Sequence, residues 1–306
     1  MKRIDPLHGL VAAPYTPFKP DGSLNLDAIE RQAEYLLADG VTTVFINGTT
    51  AECASLSVEE RLALAQRWFE VARGTILRIS VHVGTNSLPD AQVLAANAER
   101  LGVISVSAFS PSYFKPCDLD TLIDWCAEIA SAAPETPFYF YDIPAFTNVS
   151  FSMPDFLEHA SKRIPTLAGL KFSNPNLMAY QLCLNYDGGR FDVPYGIDEW
   201  LLAALALGAK GTVGSTYNFA APLYQRMWAA FTSGDLPTAR KEQLRAVRLV
   251  QVLNKYGYMG AAKAVMTMIG VDVGKPRLPN RALTNEQIRQ LRGDLETLGF
   301  FDWRHV

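Results

Sequence analysis

The chain has 306 residues, 49% of them hydrophobic and 19% charged, with 28 Lys plus Arg against 31 Asp plus Glu for a formal net charge of −3. That length and apolar fraction can bury a large core, as one long α/β unit or as two smaller ones. The charges are mixed along the chain, so there is no basic footprint for nucleic acid, and no run of roughly 18 uncharged apolar residues offers a membrane span.

From the N-terminus, Met1-Lys2-Arg3-Ile4-Asp5 carries two basic residues with no apolar stretch behind them, so an unexported, cytoplasmic protein is expected. Short apolar runs then alternate with segments of helical periodicity up to about residue 232, the pattern of repeated βαβ units. Eight strands are predicted, at 10–13, 43–46, 79–83, 104–108, 138–141, 167–171, 191–195 and 211–213. Helical patterns between them include 26–38, 58–72, 91–101, 119–132 and 153–160. Ser57 followed by Glu60 reads as a capping box, and Pro89-Asp90 and Pro154-Asp155 put proline and acid in a first helical turn. Eight such repeats match a closed (β/α)8 TIM barrel better than an open dinucleotide-binding sheet. Ala12-Ala13-Pro14-Tyr15 after the first strand also lacks the glycine pattern of a dinucleotide site. Beyond residue 232 the strands stop, and helices are predicted at 237–255, 261–268 and 285–298, with a loop at 274–279. The chain therefore divides into a barrel, 1–232, and a helical extension packed on it, 233–306.

Cys53, Cys117, Cys126 and Cys183 are scattered without Cys-x-x-Cys or His spacing, so neither a zinc site nor a disulfide framework is indicated. His8, His82, His159 and His305 form no ligand or triad pattern and read as structural or solvated. His82 lies within the third strand and is expected to be a hydrogen-bonded core residue.

In a barrel the chemistry sits at the C-terminal ends of the strands. The sixth run, Leu167-Ala168-Gly169-Leu170-Lys171, ends in a lysine. Either it snorkels outward or pairs with an acid, or it is buried, loses its charge and can attack a ketone to form an imine. The fifth run ends in Tyr141, which is either a core aromatic with its hydroxyl at the rim or a proton carrier beside Lys171, since neighbouring strands lie about 4.8 Å apart. Asn47-Gly48-Thr49-Thr50-Ala51-Glu52 after the second run presents hydroxyls and N–H groups, suited to a carboxylate or simply to capping. The last two runs lead into Gly196-Ile197-Asp198-Glu199 and Gly214-Ser215-Thr216, whose acceptors suit a polyhydroxylated substrate rather than a phosphate. Asp198 and Glu199 equally suit the first turn of a helix.

Together Gly48-Thr49-Thr50-Ala51-Glu52, Tyr141-Asp142-Ile143-Pro144 and Gly169-Leu170-Lys171 resemble, over nearly the whole chain, the dihydrodipicolinate synthase and N-acetylneuraminate lyase superfamily. Segments 137–147, 169–173, 196–199, 214–218 and 276–279 look like its lyase branch. The resemblance implies a Schiff-base aldolase that reversibly cleaves N-acetylneuraminate, a sialic acid, to N-acetylmannosamine and pyruvate, with no metal or organic cofactor. Lys171 would form the imine, Tyr141 move the proton, and Thr49 and Thr50 hold the carboxylate. Ser173, Gly196, Asp198, Glu199 and Ser215 would surround the sugar tail. Tyr113 matches a tyrosine that reaches a neighbouring subunit's site, which implies a homotetramer. The synthase branch has a carboxylate-binding arginine where this chain has Phe146, which argues against that activity. Ala51 and Asn148 stand where glycines are usual. The alternatives are an aldolase or dehydratase acting on a 2-keto-3-deoxy sugar acid and a non-catalytic barrel that binds pyruvate or a sialic acid.

Overall fold

The computed structural model describes residues 5–303, so His305 and the segment Met1 to Ile4 lie outside the described residues. Among the described residues there are seven strands: β1 (Gly9–Ala12), β2 (Thr43–Ile46), β3 (Arg78–His82), β4 (Ser105–Ala108), β5 (Phe138–Asp142), β6 (Leu167–Phe172) and β7 (Gly211–Gly214). Every pairing is parallel, in the order β6-β5-β4-β3-β2-β1-β7. The predicted strand at 191–195 is not a continuous one. Its residues nonetheless join β6 to β7 and close the barrel. Leu170 donates to the Asp192 carbonyl at 3.0 Å and Phe172 to that of Pro194 at 2.9 Å, while on the other side Tyr195 donates to Gly211 at 3.0 Å. Pro194 has no N–H to give, so the ladder is reduced to isolated bridges.

That closure needs Gly169. A Cβ there would lie 1.7 Å from the Asp192 carbonyl oxygen, which is backbone and cannot rotate away. Gly169→Ala is therefore expected to destabilise the fold by about 3 kcal/mol or more, read as a loss of several degrees or more in thermal melting. A melting temperature equal to wild type would refute the close approach.

The helices are α1 (Ala28–Ala38), α2 (Val58–Ala72), α3 (Leu88–Leu101), α4 (Leu119–Ser131), α5 (Pro144–Thr147), α6 (Met153–Ala160), α7 (Leu177–Asn185), α8 (Leu201–Leu207), α9 (Tyr217–Thr232), α10 (Leu236–Lys255), α11 (Tyr258–Met268), α12 (Asn285–Leu298) and α13 (Phe300–Trp303). The capping box at Ser57 and Glu60 forms and opens α2. α3 begins three residues earlier than its apolar pattern predicts, because Ser87 caps it and Pro89 sits in its first turn. α9 carries Pro222 and a kink at Ala220, which interrupt its periodicity. α10 packs along α9 and also touches α8, α11 and α12, so the helices after the last strand cover one side of the barrel. All four cysteines are free, with Cys117 exposed and the others buried. Among the described residues no helix is long and apolar enough to cross a membrane.

Candidate active site

β5 and β6 run in register so that Tyr141 stands opposite Lys171. Lys171 is only 4% exposed and does not snorkel to solvent. Its Nζ lies 3.9 Å from the centre of the Phe45 ring and 3.9 Å from that of Tyr141. Burial removes water from the ammonium and pulls its pKa down to about 7, with Asp198 and then Cys53 acting weakly in the opposite direction. Near neutral pH about half of such a side chain is a free amine, the form that can attack a carbonyl. The Tyr141 hydroxyl is 3.4 Å from Thr49 Oγ1. Burial raises its pKa, and hydrogen bonding to Thr49 and Ser173 only partly offsets this, so the group rests as a neutral phenol.

Thr49 and Thr50 sit half-buried in a turn that β2 delivers to the barrel mouth. The turn closes through Glu52 N–H donating to the Thr49 carbonyl at 3.0 Å and Cys53 N–H donating to that of Gly48 at 3.2 Å. Its left-handed residues are Asn47 (φ 59°) and Glu52 (φ 58°), not Ala51, so alanine at 51 fits without strain. The Ala51 carbonyl accepts from Thr16 Oγ1 at 2.6 Å. The turn leads into a 3-10 segment, Cys53–Ser55, rather than into α2, so an anion here would be met by the turn's own hydroxyls and N–H groups. Asn148 is left-handed too (φ 53°) and ends α5, a place asparagine takes more readily than most residues.

The other predicted contacts follow β6, the 191–195 segment and β7. Asp198 is buried and its Oδ2 accepts from Thr216 N–H at 2.9 Å and Thr216 Oγ1 at 2.6 Å. With Glu199 it does stand in the first turn of a 3-10 segment, Asp198–Trp200, but its carboxylate bonds Thr216 and no N–H of that turn. Burial outweighs those bonds and raises its pKa to about 6. A Cβ on Gly196 would fall 1.9 Å from Ser173 Oγ, so this glycine lets β6 and the 191–196 segment meet at the mouth. Ser173 is buried, and Glu199 is half-buried with its carbonyl accepting from Gln243 at 2.7 Å. Ser215 Oγ is 2.6 Å from the Tyr258 hydroxyl at the start of α11. Sequence reasoning missed Tyr258, since nothing near it in the chain marks it as a site residue.

It also gave Glu52 no role and missed Lys263. Glu52 Oε1 accepts from Lys263 Nζ at 2.9 Å, and both side chains are almost completely buried. Its Oε2 accepts from Arg277 N–H at 2.9 Å.

A cleft of about 670 Å³ is lined by Thr49, Ile143 and Thr147 from the barrel and Tyr258, Asn280 and Arg281 from beyond it, and it meets the predicted site residues at Thr49, whereas Lys171, Tyr141 and Asp198 are not part of its lining. Phe146 stands at the same cleft, 71% exposed. Tyr113 does not join the site within its own chain. It is 81% exposed and packs edge to face on Phe114, ring centres 5.1 Å apart. His82 is a buried core residue, its Nδ1 3.1 Å from Ser107 Oγ and its ring edge-on to Tyr141 at 5.5 Å. Burial, then Arg61 and Lys171, push its pKa well down, so it is neutral. Among the described residues no group of three or more His, Cys, Asp or Glu converges to hold a metal ion.

The model of the dihydrodipicolinate synthetase family matches residues 6–298 of this chain. The chain belongs to that family. Among curated relatives, N-acetylneuraminate lyase of Gallus gallus is 40% identical over 296 residues, covering 95% of this chain and 96% of the relative. N-acetylneuraminate lyase A of Xenopus laevis is 42% identical over 276 residues, covering 89% and 90%. Among solved structures, Proteus mirabilis N-acetylneuraminate lyase superposes with a TM-score of 0.94 at 40% identity, covering 97% of this chain and all (100%) of that one. The fold is the barrel of the dihydrodipicolinate synthetase family, and the likeness to lyases runs through both the barrel and the helices that follow it.

Proposed function

We propose that this protein is a Schiff-base aldolase that reversibly cleaves N-acetylneuraminate to N-acetylmannosamine and pyruvate. The observation that carries the chemistry is Lys171, a buried amine with a pKa of about 7, placed in register with a buried tyrosine. The substrate rests on the lyase relatives and on the polar wall of Asp198, Glu199, Ser173 and Ser215. Phe146 offers no guanidinium for a second carboxylate, which disfavours the synthase reaction.

In the proposed sequence the neutral Lys171 amine attacks the C2 ketone of the open-chain sugar, held by its carboxylate at Thr49 and Thr50. Tyr141 gives its proton to the departing C2 hydroxyl, which leaves as water. The protonated imine and the tyrosinate then face each other. The tyrosinate takes the C4 hydroxyl proton, the C3–C4 bond breaks, and its electron pair flows into the imine to give an enamine and N-acetylmannosamine. Tyr141 returns a proton to C3, and water releases pyruvate and restores the amine and the phenol. Each proton removed is one Tyr141 later gives back. Tyr113 and Phe114 are proposed to pack against a second copy, consistent with a tetramer whose Tyr113 reaches a neighbour's cleft. The reading further places the catalytic barrel at 1–232, the helical extension at 233–306 and the protein in the cytoplasm, in carbohydrate metabolism.

Incubation with N-acetylneuraminate should release pyruvate, and borohydride should fix a reduced adduct on Lys171. Pyruvate adducts without turnover of this sugar would instead favour a 2-keto-3-deoxy sugar acid as substrate. The pH profile follows from the same groups. The amine must be neutral to attack, so kcat/KM should rise with pH and level off above about 7. Asp198, at about 6, steepens the acid limb if its carboxylate accepts from the sugar. Activity at pH 5 is therefore expected roughly 100-fold or more below the plateau. A limb centred near 10 would mean the lysine is not desolvated in solution.

A further inference from the structure

Glu52 holds a left-handed backbone, φ 58° and ψ 38°, that a side chain other than Gly, Asn or Asp rarely adopts. It ends the turn that carries Thr49 and Thr50. What keeps it there comes from more than 200 residues away. Lys263, in the middle of α11, reaches its Oε1 at 2.9 Å, and the Arg277 N–H donates to its Oε2 at 2.9 Å. The ammonium also donates to the Lys275 carbonyl at 3.2 Å. Arg277 in turn grips Glu60 at the start of α2 with two bonds, 2.7 and 2.5 Å, and donates to the Ser55 carbonyl at 3.0 Å. Residues 275–281 thus form a strap buckled to both ends of the segment that follows the turn. Gly260 allows the strap to lie on α11, since a Cβ there would come within 2.3 Å of the Arg281 carbonyl oxygen.

A buried ion pair gains little net stability over an apolar pair of the same shape, but it is direction-specific and does not tolerate loss of one partner. Glu52 can satisfy both oxygens only with the turn in this one conformation. We propose that Lys263 is a positioning residue for the reaction: together with the strap it clamps Glu52 so that the Thr49–Thr50 turn stays shaped for the substrate carboxylate. The inference rests on the imine reading of Lys171. It makes the helices beyond the barrel part of the carboxylate site, and it separates carboxylate recognition from the amine itself, since Lys263 does not touch Lys171's ring partners Phe45 and Tyr141.

The test compares borohydride-trapped adduct formation with pyruvate and with methyl pyruvate, the same ketone with its charge removed, in wild type, Lys263→Met, Glu52→Gln and Lys263→Arg. The clamp predicts that Lys263→Met and Glu52→Gln raise the half-saturating pyruvate concentration at least 10-fold, leave methyl pyruvate within about 2-fold, and keep the pH midpoint of trapping near wild type. Lys263→Arg, which keeps the charge, should recover part of the loss. Equal losses for both ketones, or none for either, overturn the clamp. If Lys263→Met does not fold, the near-isosteric Glu52→Gln decides by the same comparison. Wild type that traps neither ketone overturns the imine reading and the clamp with it, whereas wild type that traps both while the variants match it overturns the clamp alone.

Discussion

Replacing Lys171 by alanine or methionine is expected to abolish both the borohydride-trapped adduct and pyruvate release, with kcat falling at least about 10⁴-fold. Lys263, the other almost fully buried lysine among the described residues, is held by Glu52. The methionine substitution should also make the protein more stable. A lysine whose pKa falls from 10.5 to about 7 on burial resists folding in its charged form. Because the folded pKa is the lower one, the unfolded chain binds more protons between these values, so wild-type stability rises as pH rises from about 7 to 10.5. Below about 7 the penalty is fully present, on the order of 5 kcal/mol. Lys171→Met fills the space without a charge to desolvate. It should gain a few kcal/mol over wild type at neutral pH, a margin that narrows toward pH 10. Denaturant unfolding across that range measures it, and a variant no more stable than wild type at pH 7 would contradict the desolvated amine.

Tyr141→Phe should lower kcat by roughly 10²- to 10⁴-fold, the usual span for loss of a positioned proton carrier. The ring stays, so its contact with Lys171 Nζ and its edge-on packing against His82 stay too. The hydroxyl is lost with its long 3.4 Å bond to Thr49 and its interaction with Ser173, and stability should change by about 1 kcal/mol. If Tyr141 carries both protons as proposed, imine formation should slow along with bond cleavage. Single-turnover trapping with pyruvate measures the first step and N-acetylneuraminate turnover the whole. Wild-type kcat in this variant would assign the proton transfers to another group.

Much of this protein was legible in the chain because the relevant signals are local. A strand's alternation and length, a capping box such as Ser57 with Glu60, and a lysine ending an apolar run all act over a few residues. The spacing of Tyr141 and Lys171 at the ends of consecutive runs was enough to place them side by side, since parallel neighbours in a barrel share a mouth. The left-handed tolerance of Asn148 is likewise a property of one residue. What failed locally failed for local reasons: Pro194 broke the ladder of the predicted seventh strand, and Pro222 broke the period of α9.

The tertiary structure alone decided the rest. No pattern near Glu52 announces Lys263, which lies 211 residues on, and none near Ser215 announces Tyr258. Such pairs depend on how α11 and the strap return to the barrel mouth, and that is set by the packing of α10 against α9 and α8 rather than by either residue's neighbours. The charge state of Lys171 belongs to the same class. Its sequence determines that it is a lysine at a strand end, but its pKa of about 7 comes from the removal of water by Phe45, Tyr141 and the wall behind them, which exists only once the barrel has closed.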